Sequence, residues 1–201
     1  FELIKTAYAG PQQIEAHVTK PETSTIFQKY PLILKDHHLV DFIKDTFMVT
    51  LSSTIEPHDL DDLLDTDIST IHEEEAQVPT TLNRVSDAFP GLGIVAAVLG
   101  VVITMGHLSE GKEAIGNSVA AALIGTFIGI LLCYGMMQPI AAKVTSMQEA
   151  QKKMLDVTKA ALIAFARRSN PKICVEFARR SIPPSDRPSF SELDSALRGK
   201  T

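Results

Sequence analysis

The chain has 201 residues, of which 45% are hydrophobic, a formal net charge of −5 and two cysteines. The cysteines argue against a disulfide-stabilised scaffold, since Cys133 lies in an apolar run and Cys174 in a polar tail, and nothing suggests a nucleic-acid partner. Residues 1–87 carry 16 acids and 6 bases, residues 88–142 carry 2 acids and 1 base, and residues 143–201 carry 6 acids and 12 bases. An acidic domain, an apolar hairpin and a basic tail therefore follow one another.

Residues 1–87 are expected to form an acidic, helical domain. Breakers at Gly10-Pro11 and Lys20-Pro21 divide the first helices. The stretch from Glu56 to Glu75 has nine acids and no Lys or Arg. Apolar residues recur through it at helical spacing, which predicts an amphipathic helix or helix pair: Leu60, Leu63, Leu64, Ile68 and Ile71.

Two long apolar runs, residues 88–106 and 119–142, contain no acid, base or histidine. Each is long enough to cross the roughly 30 Å hydrocarbon layer of a bilayer as a helix. We expect a transmembrane hairpin with residues 107–118 as its connector. Because the connector has a single Lys and several Lys follow the second run, the positive-inside rule places both large polar segments in the cytoplasm and the connector in the periplasm.

The segment 143–201 is expected to be a cytoplasmic helical extension followed by a tail. Small and apolar residues at steps of three and four predict that the second spanning helix continues with a packing seam along it, and Ser189 with Glu192 forms a capping box before a last short helix. The fold class is thus an all-α membrane protein. The seam consists of Met147, Ala150, Met154, Val157, Ala161 and Ala164.

Small and polar residues in the two runs admit more than one interpretation. Gly125 and Gly129 lie four apart, with Gly135 beyond them, and permit close helix packing. The hydroxyls of Thr126 and Thr104 either bond back to their own helix or line a polar path. Two prolines near the cytoplasmic ends of the runs either make hinges or only mark helix ends: Pro90 and Pro139.

The absence of charge restricts how these helices could carry an ion. Passage of a proton or cation across hydrocarbon normally requires an ionisable group near the midplane, and neither run has one. If the protein conducts ions, the carboxylate comes from another chain. A threonine hydroxyl could then hydrogen-bond to that carboxylate or to the water of the ion.

Five stretches resemble one family. PGLGIVAAVLGVVITMG and VAAALIGTFIGILLCYGMMQPIA are similar to the third and fourth transmembrane helices of the MotA family of flagellar stator proteins. IFQKYPLILKDHHLVDFIKD and EEEAQVPTTLNRVSDAFPGLG look like that family's cytoplasmic domain, and VEFARRSIPPSDRPSFSELD like its C-terminal signature. The resemblance implies that two further membrane helices precede this chain.

The resemblance implies a non-enzymatic subunit of the bacterial inner membrane, in contact with lipid and without a cofactor. Copies would form a ring around a MotB dimer whose transmembrane aspartate carries the ion, and the cytoplasmic domain would push on the rotor protein FliG. Pro90 and Pro139 match the prolines that couple ion flow to movement. Thr126 matches the channel threonine, and Thr104 is a second candidate lining residue.

One position departs from the family pattern, and another bears on which ion is transported. Glu15 matches the acidic rotor contact, but the expected basic residue eight positions earlier is Ala7, with Lys5 the nearest substitute. Ala97 stands where sodium-driven relatives tend to carry threonine, which favours H⁺ over Na⁺. The alternatives are a TolQ or ExbB type stator, which lacks the RPSFSEL ending, and an inert membrane anchor for an acidic domain.

Overall fold

A computed structural model describes residues 1–106, 109 and 111–199, and across these residues the chain is helical without a strand. The all-α expectation is therefore confirmed. The α-helices are α1 Glu2–Ala9, α2 Pro11–Thr19, α3 Pro31–Leu34, α4 His37–Ser52, α5 Pro57–Glu75, α6 Gln77–Gly106, α7 Lys112–Ile130, α8 Gln138–Ala166, α9 Pro171–Ser181 and α10 Phe190–Arg198. Short 3₁₀ turns occupy Pro21–Thr23 and Phe27–Lys29, and a π-helical segment, Leu131–Met137, separates α7 from α8.

Helix ends follow the local chemistry. At the start of α4, the Asp36 carboxylate accepts a hydrogen bond of 3.0 Å from the Leu39 amide. The predicted capping box of Ser189 and Glu192 is present at the start of α10. Each cap satisfies amides that the first turn of a helix leaves without partners. The predicted break at Gly10-Pro11 is also confirmed, because α1 ends at Ala9 and α2 begins at Pro11.

The chain divides into two compact units, Phe1–His72 with Ala150–Thr201, and Glu73–Glu149. The first unit has a hydrophobic core that draws on α1, α2, α4, α5, α8 and α9. The acidic stretch is a single helix, α5, that contributes three buried residues one turn apart and leaves Leu63 45% exposed. Core residues include Ile4, Ile14, Leu39, Phe47, Leu60, Leu64, Ile68, Leu155, Leu162 and Cys174.

The predicted continuation of the second apolar helix is confirmed, since α8 reaches Ala166. The predicted packing seam is confirmed at its C-terminal end, where Ala164 lies in the core and Ala161 packs against it, and is wrong at its N-terminal end. Met147 and Met154 are 60% and 51% exposed, whereas Leu155 and Leu162 are buried. The core of the first unit therefore receives a leucine face of α8, because larger aliphatic side chains remove more apolar area from water than alanines do.

The second unit contains the two apolar runs. The first lies in α6, and the second extends from α7 through the π-helical segment into the start of α8. The helical stretches Pro57–Gly106 and Lys112–Ala166 each contain a window apolar enough to span a membrane, and only 11% and 17% of those windows are buried. Core helices of soluble proteins bury such windows, so these helices offer their apolar surface to lipid or to other chains. Helix α7 begins at Lys112, so residues 112–118 of the expected connector are helical, and His107, Leu108 and Glu110 lie outside the described residues.

Candidate functional site in the apolar hairpin

Helices α6 and α7 approach each other closely along a seam of small residues. A Cβ added to Gly93 would lie 3.0 Å from the Gly125 carbonyl oxygen, and a Cβ added to Gly129 would lie 2.6 Å from the Phe89 carbonyl oxygen. Glycine is thus the residue that fits where the two backbones touch. Further along the hairpin, Gly100 meets Ala122 in the same way.

The predicted hydroxyl groups differ in what they bind. Thr104, which is 4% exposed, donates to the Gly100 carbonyl at 2.7 Å. This is the expected alternative in which the hydroxyl bonds back to its own helix. Thr126 instead donates across the hairpin to the Gly93 carbonyl at 3.3 Å and is partly buried. The back-bonding interpretation is therefore right for Thr104 and wrong for Thr126.

The structure brings several of the predicted residues to one level of the hairpin. Thr126 bonds to Gly93, and Ala97 lies one helical turn beyond Gly93 and is half-buried. The Cβ position of Gly129 points at the turn that contains Phe89, directly before Pro90. This level thus joins the threonine, the close-packed glycines and the first proline. A Cβ added to Gly135 would meet only the Leu131 side chain of its own segment, so Gly135 does not extend the seam between α6 and α7.

Both prolines lie inside helical backbone and remove a hydrogen-bond donor from it. Pro90 is within α6 and is half-buried. Pro139 is exposed, at the second position of α8, directly after the π-helical segment. There the Gln138 amide donates to the carbonyl of Cys133, five residues back. A proline cannot make the next four-residue bond, and the wider register before it is a local irregularity of the kind found at functional sites.

Sequence reasoning missed Ser86, which is 0% exposed in the hairpin. Its hydroxyl donates to the Cys133 carbonyl at 3.3 Å, and its Oγ lies 3.2 Å from the Cys133 Sγ. A serine four residues before a proline was a visible signal, because the proline leaves that serine's carbonyl without its helical donor. The partner on the other helix depends on the packing register, which periodicity does not give.

The expected rotor-facing residues belong to the first unit. Lys5 is exposed on α1, and Glu15 is exposed on α2. Ala7, at the position where the family pattern has a base, is half-buried and packs against the hydrophobic core. A long basic side chain at position 7 would therefore have to leave the packed face of α1.

An ion-pair cluster ties α5 to α8 in the first unit. The Lys159 ammonium lies 2.7 Å from an Asp61 carboxylate oxygen and 2.6 Å from one of Asp65, and the Lys159 side chain is 14% exposed. Burial alone lowers the pKa of Lys159, but the hydrogen bonds that it donates to both aspartates outweigh this effect, and the pKa is raised. Lys159 therefore remains charged and holds together two carboxylates one turn apart.

A second cluster orders the chain after α9. Glu176 accepts hydrogen bonds from Arg179 and Arg180, which lower the pKa of its carboxyl to about 2. Arg179 also donates to the Pro188 carbonyl at 2.9 Å, and Arg187 donates to the Arg180 carbonyl at 2.8 Å. The arginines thus fold the Pro-rich segment back onto the end of α9, where free carbonyls attract cations.

A comparison with protein families matches residues 35–157 to the MotA/TolQ/ExbB proton channel family. The match includes α4 to α7 and most of α8, which is more than half of the chain. The chain belongs to the MotA/TolQ/ExbB proton channel family.

Two relatives resemble nearly the whole chain. It is 37% identical over 197 residues to Motility protein A of Escherichia coli and 33% identical over 196 residues to Chemotaxis protein LafT of Vibrio parahaemolyticus, which cover 98% and 97% of it. The chain spans 66% and 69% of the length of those two relatives. Both similarities therefore extend beyond residues 35–157, the range of the family match.

Two solved structures share the fold of this family member. The flagellar MotAB stator complex from Bacillus subtilis matches 73% of the chain and 56% of its own chain with a TM-score of 0.65 and 18% identity. The structure of MotAB from C. jejuni matches 94% of the chain and 76% of its own chain with a TM-score of 0.68 and 16% identity. The helical hairpin and the helices before and after it thus occur together in other proteins.

Proposed function

We propose that this chain is part of a flagellar stator subunit of the bacterial inner membrane, a torque generator without enzymatic activity. The hairpin would wall an ion path, and the first unit, in the cytoplasm, would push on the rotor protein FliG. Similarity to Motility protein A over 98% of the chain supports this proposal. The bond from Thr126 to Gly93, between two apolar runs without charged residues, is the structural observation that carries it.

The ion-binding carboxylate is proposed to come from a MotB partner. Both spanning windows leave most of their surface exposed, so there is room for a second membrane protein, further copies of this chain in a ring, and lipid. The matched family is described as a proton channel, and Ala97 rather than a threonine also favours H⁺ over Na⁺. The Thr126 hydroxyl could donate to such a carboxylate only by giving up its bond to Gly93.

Movement is proposed to occur at Pro90 and Pro139. The π-helical segment before Pro139 already departs from regular helix, so this region has fewer regular backbone bonds to break than the rest of the helix. Glu15 is proposed as a rotor contact, with Lys5 in place of the usual base. The irregular backbone before Pro139 supports the first role, and the exposed charges of Glu15 and Lys5 support the second.

The decisive experiment is complementation. The complete gene, expressed with a matching MotB in a strain without its own stator, should restore swimming, and Pro139→Ala should abolish swimming while membrane content and MotB co-purification stay normal. Pro31→Ala, at the exposed start of α3, is the matched control and should swim. Absence of rescue at normal expression would contradict the proposal. Co-purification with TolR or ExbD instead of MotB would favour a stator that energises the envelope.

A further inference from the structure

We propose that Ser86 is a positioning residue that couples the two proline-broken turns of the hairpin. Its side chain holds the π-helical segment in front of Pro139, while its own carbonyl is the one that Pro90 leaves without a helical donor. The inference rests on the proposed role of the prolines in converting ion flow to movement. It adds the physical link by which a shift at one proline reaches the other.

The Ser86 hydroxyl is buried where an unmade hydrogen bond is costly. Ser86 is 0% exposed and Cys133 is 1% exposed. The hydroxyl can donate its proton to the Cys133 carbonyl at 3.3 Å and accept the thiol proton of Cys133 at 3.2 Å. Loss of the hydroxyl would remove one of the two hydrogen bonds to the Cys133 carbonyl and the acceptor of the Cys133 thiol, in apolar surroundings where water does not replace them.

The carbonyl of Cys133 accepts two hydrogen bonds. The Cys133 oxygen also receives the Gln138 amide in the five-residue register, so a side-chain bond from α6 and a main-chain bond of the π-helical segment meet on one atom. Return of this turn to the four-residue register would release the Gln138 amide from that oxygen. Because a change of register would also move this oxygen relative to α6, the Ser86 bond opposes such a change next to Pro139.

The main chain of Ser86 makes the connection to Pro90. In a regular helix, the carbonyl of residue 86 accepts the amide of residue 90, but a proline has none. The turn containing Ser86 is thereby freer to tilt than its neighbours, and its hydroxyl transmits such a tilt to Cys133. A serine that only fills the interface would share the burial but would not join these two breaks.

Amide hydrogen exchange on the complete protein in detergent tests the bond without requiring a working motor. Ser86→Ala should raise exchange in the peptides that cover Leu131–Met137 and Gln138 about fivefold, the change that corresponds to one lost buried hydrogen bond. Exchange at the start of α7 should stay the same. Ser86→Thr, which keeps the hydroxyl, should restore slow exchange. Unchanged exchange in Ser86→Ala would overturn the inference.

Rotation of tethered cells tests the coupling. Ser86→Ala should reduce torque per stator at normal stator number, and Ser86→Thr should recover it. Thr145→Ala, which removes a hydroxyl that bonds within α8, is the control and should leave both exchange and torque unchanged. Faster exchange with normal torque would overturn the positioning role. Normal torque in Pro139→Ala would instead contradict the proposed function, independently of the exchange result.

Discussion

The hydroxyl of Thr126 on α7 donates to the main-chain carbonyl of Gly93 on α6, 3.3 Å away. The two backbones come close enough for this bond because Gly93 and Gly125 have no side chains between them. The same oxygen atom of Thr126 is the group proposed to serve an ion-binding partner. Helix packing and ion handling therefore draw on one side chain, which leads to a distinct expectation for its removal.

Replacement of Thr126 by valine keeps the shape of the side chain and removes the hydroxyl. We expect lower ion conductance in vesicles that contain the complex, with helix packing weakened by no more than about 1 kcal/mol, the usual worth of one interhelical hydrogen bond. A pH-sensitive dye inside the vesicles measures the conductance. Thr126→Ser retains the donor and should conduct. Full conductance in Thr126→Val would exclude a lining role.

Gly129→Ala should destabilise the hairpin because its new Cβ would lie 2.6 Å from the Phe89 carbonyl oxygen. Overpacking of this kind costs about 1–3 kcal/mol. Thermal unfolding of the purified protein in detergent, followed by circular dichroism, should show a lower midpoint. Gly116→Ala is the matched control on α7, since nothing lies within 4 Å of its Cβ position, and it should unfold no earlier than wild type. Equal midpoints for the two variants would refute the close seam.

Lys159→Met should loosen the contact between α5 and α8 in the first unit. The change leaves Asp61 and Asp65 repelling each other. We expect a loss of about 1 kcal/mol, because water screens both side chains, which are 42% and 64% exposed. The midpoint of unfolding measures it. Lys44→Met removes a more exposed lysine, 3.4 Å from Asp41, and should change little.

The same ion pair predicts a dependence on alkaline pH. The folded pKa of Lys159 lies above its ordinary value, so its contribution to stability is complete below the unfolded pKa of about 10.4 and disappears as pH rises through the folded pKa. The wild-type midpoint should approach that of Lys159→Met in this range. A constant gap between the two proteins up to the highest pH would contradict the assignment.

Glu176→Gln should release the chain that follows α9. With the carboxyl pKa lowered to about 2 by Arg179 and Arg180, the stabilisation is present above the unfolded pKa of about 4.3 and is lost as pH falls through about 2. Pepsin, which is active in this range, should cut near Phe190 faster in the variant at pH 4 and at similar rates in both proteins near pH 2. Glu149→Gln, at an exposed position, should behave as wild type. Identical cleavage of the two proteins at pH 4 would argue against a role of the Glu176 ion pairs in ordering the chain after α9.

The sequence allowed prediction of those features that depend on neighbouring residues. The helix break at Gly10-Pro11, the cap at Ser189 and the charge-free runs each follow from a few adjacent side chains. The buried bond of Ser86 could not be predicted, because periodicity shows which residues share a helix face but not the register in which two faces meet. Leu63 is exposed although its spacing fits the apolar stripe, for the same reason.

Only 11% and 17% of the most apolar stretches of the two helices are buried within this chain. This low burial determines which substitutions the helices should tolerate. Most side chains of the two runs can be exchanged for other apolar ones without disturbing any contact inside this chain. Loss of packing should concentrate at the few seam glycines and at Ser86, whereas loss of conductance or movement should concentrate at Thr126, Pro90 and Pro139. Among natural variants, the composition of these helices can therefore drift widely while the seam glycines and Ser86 remain small.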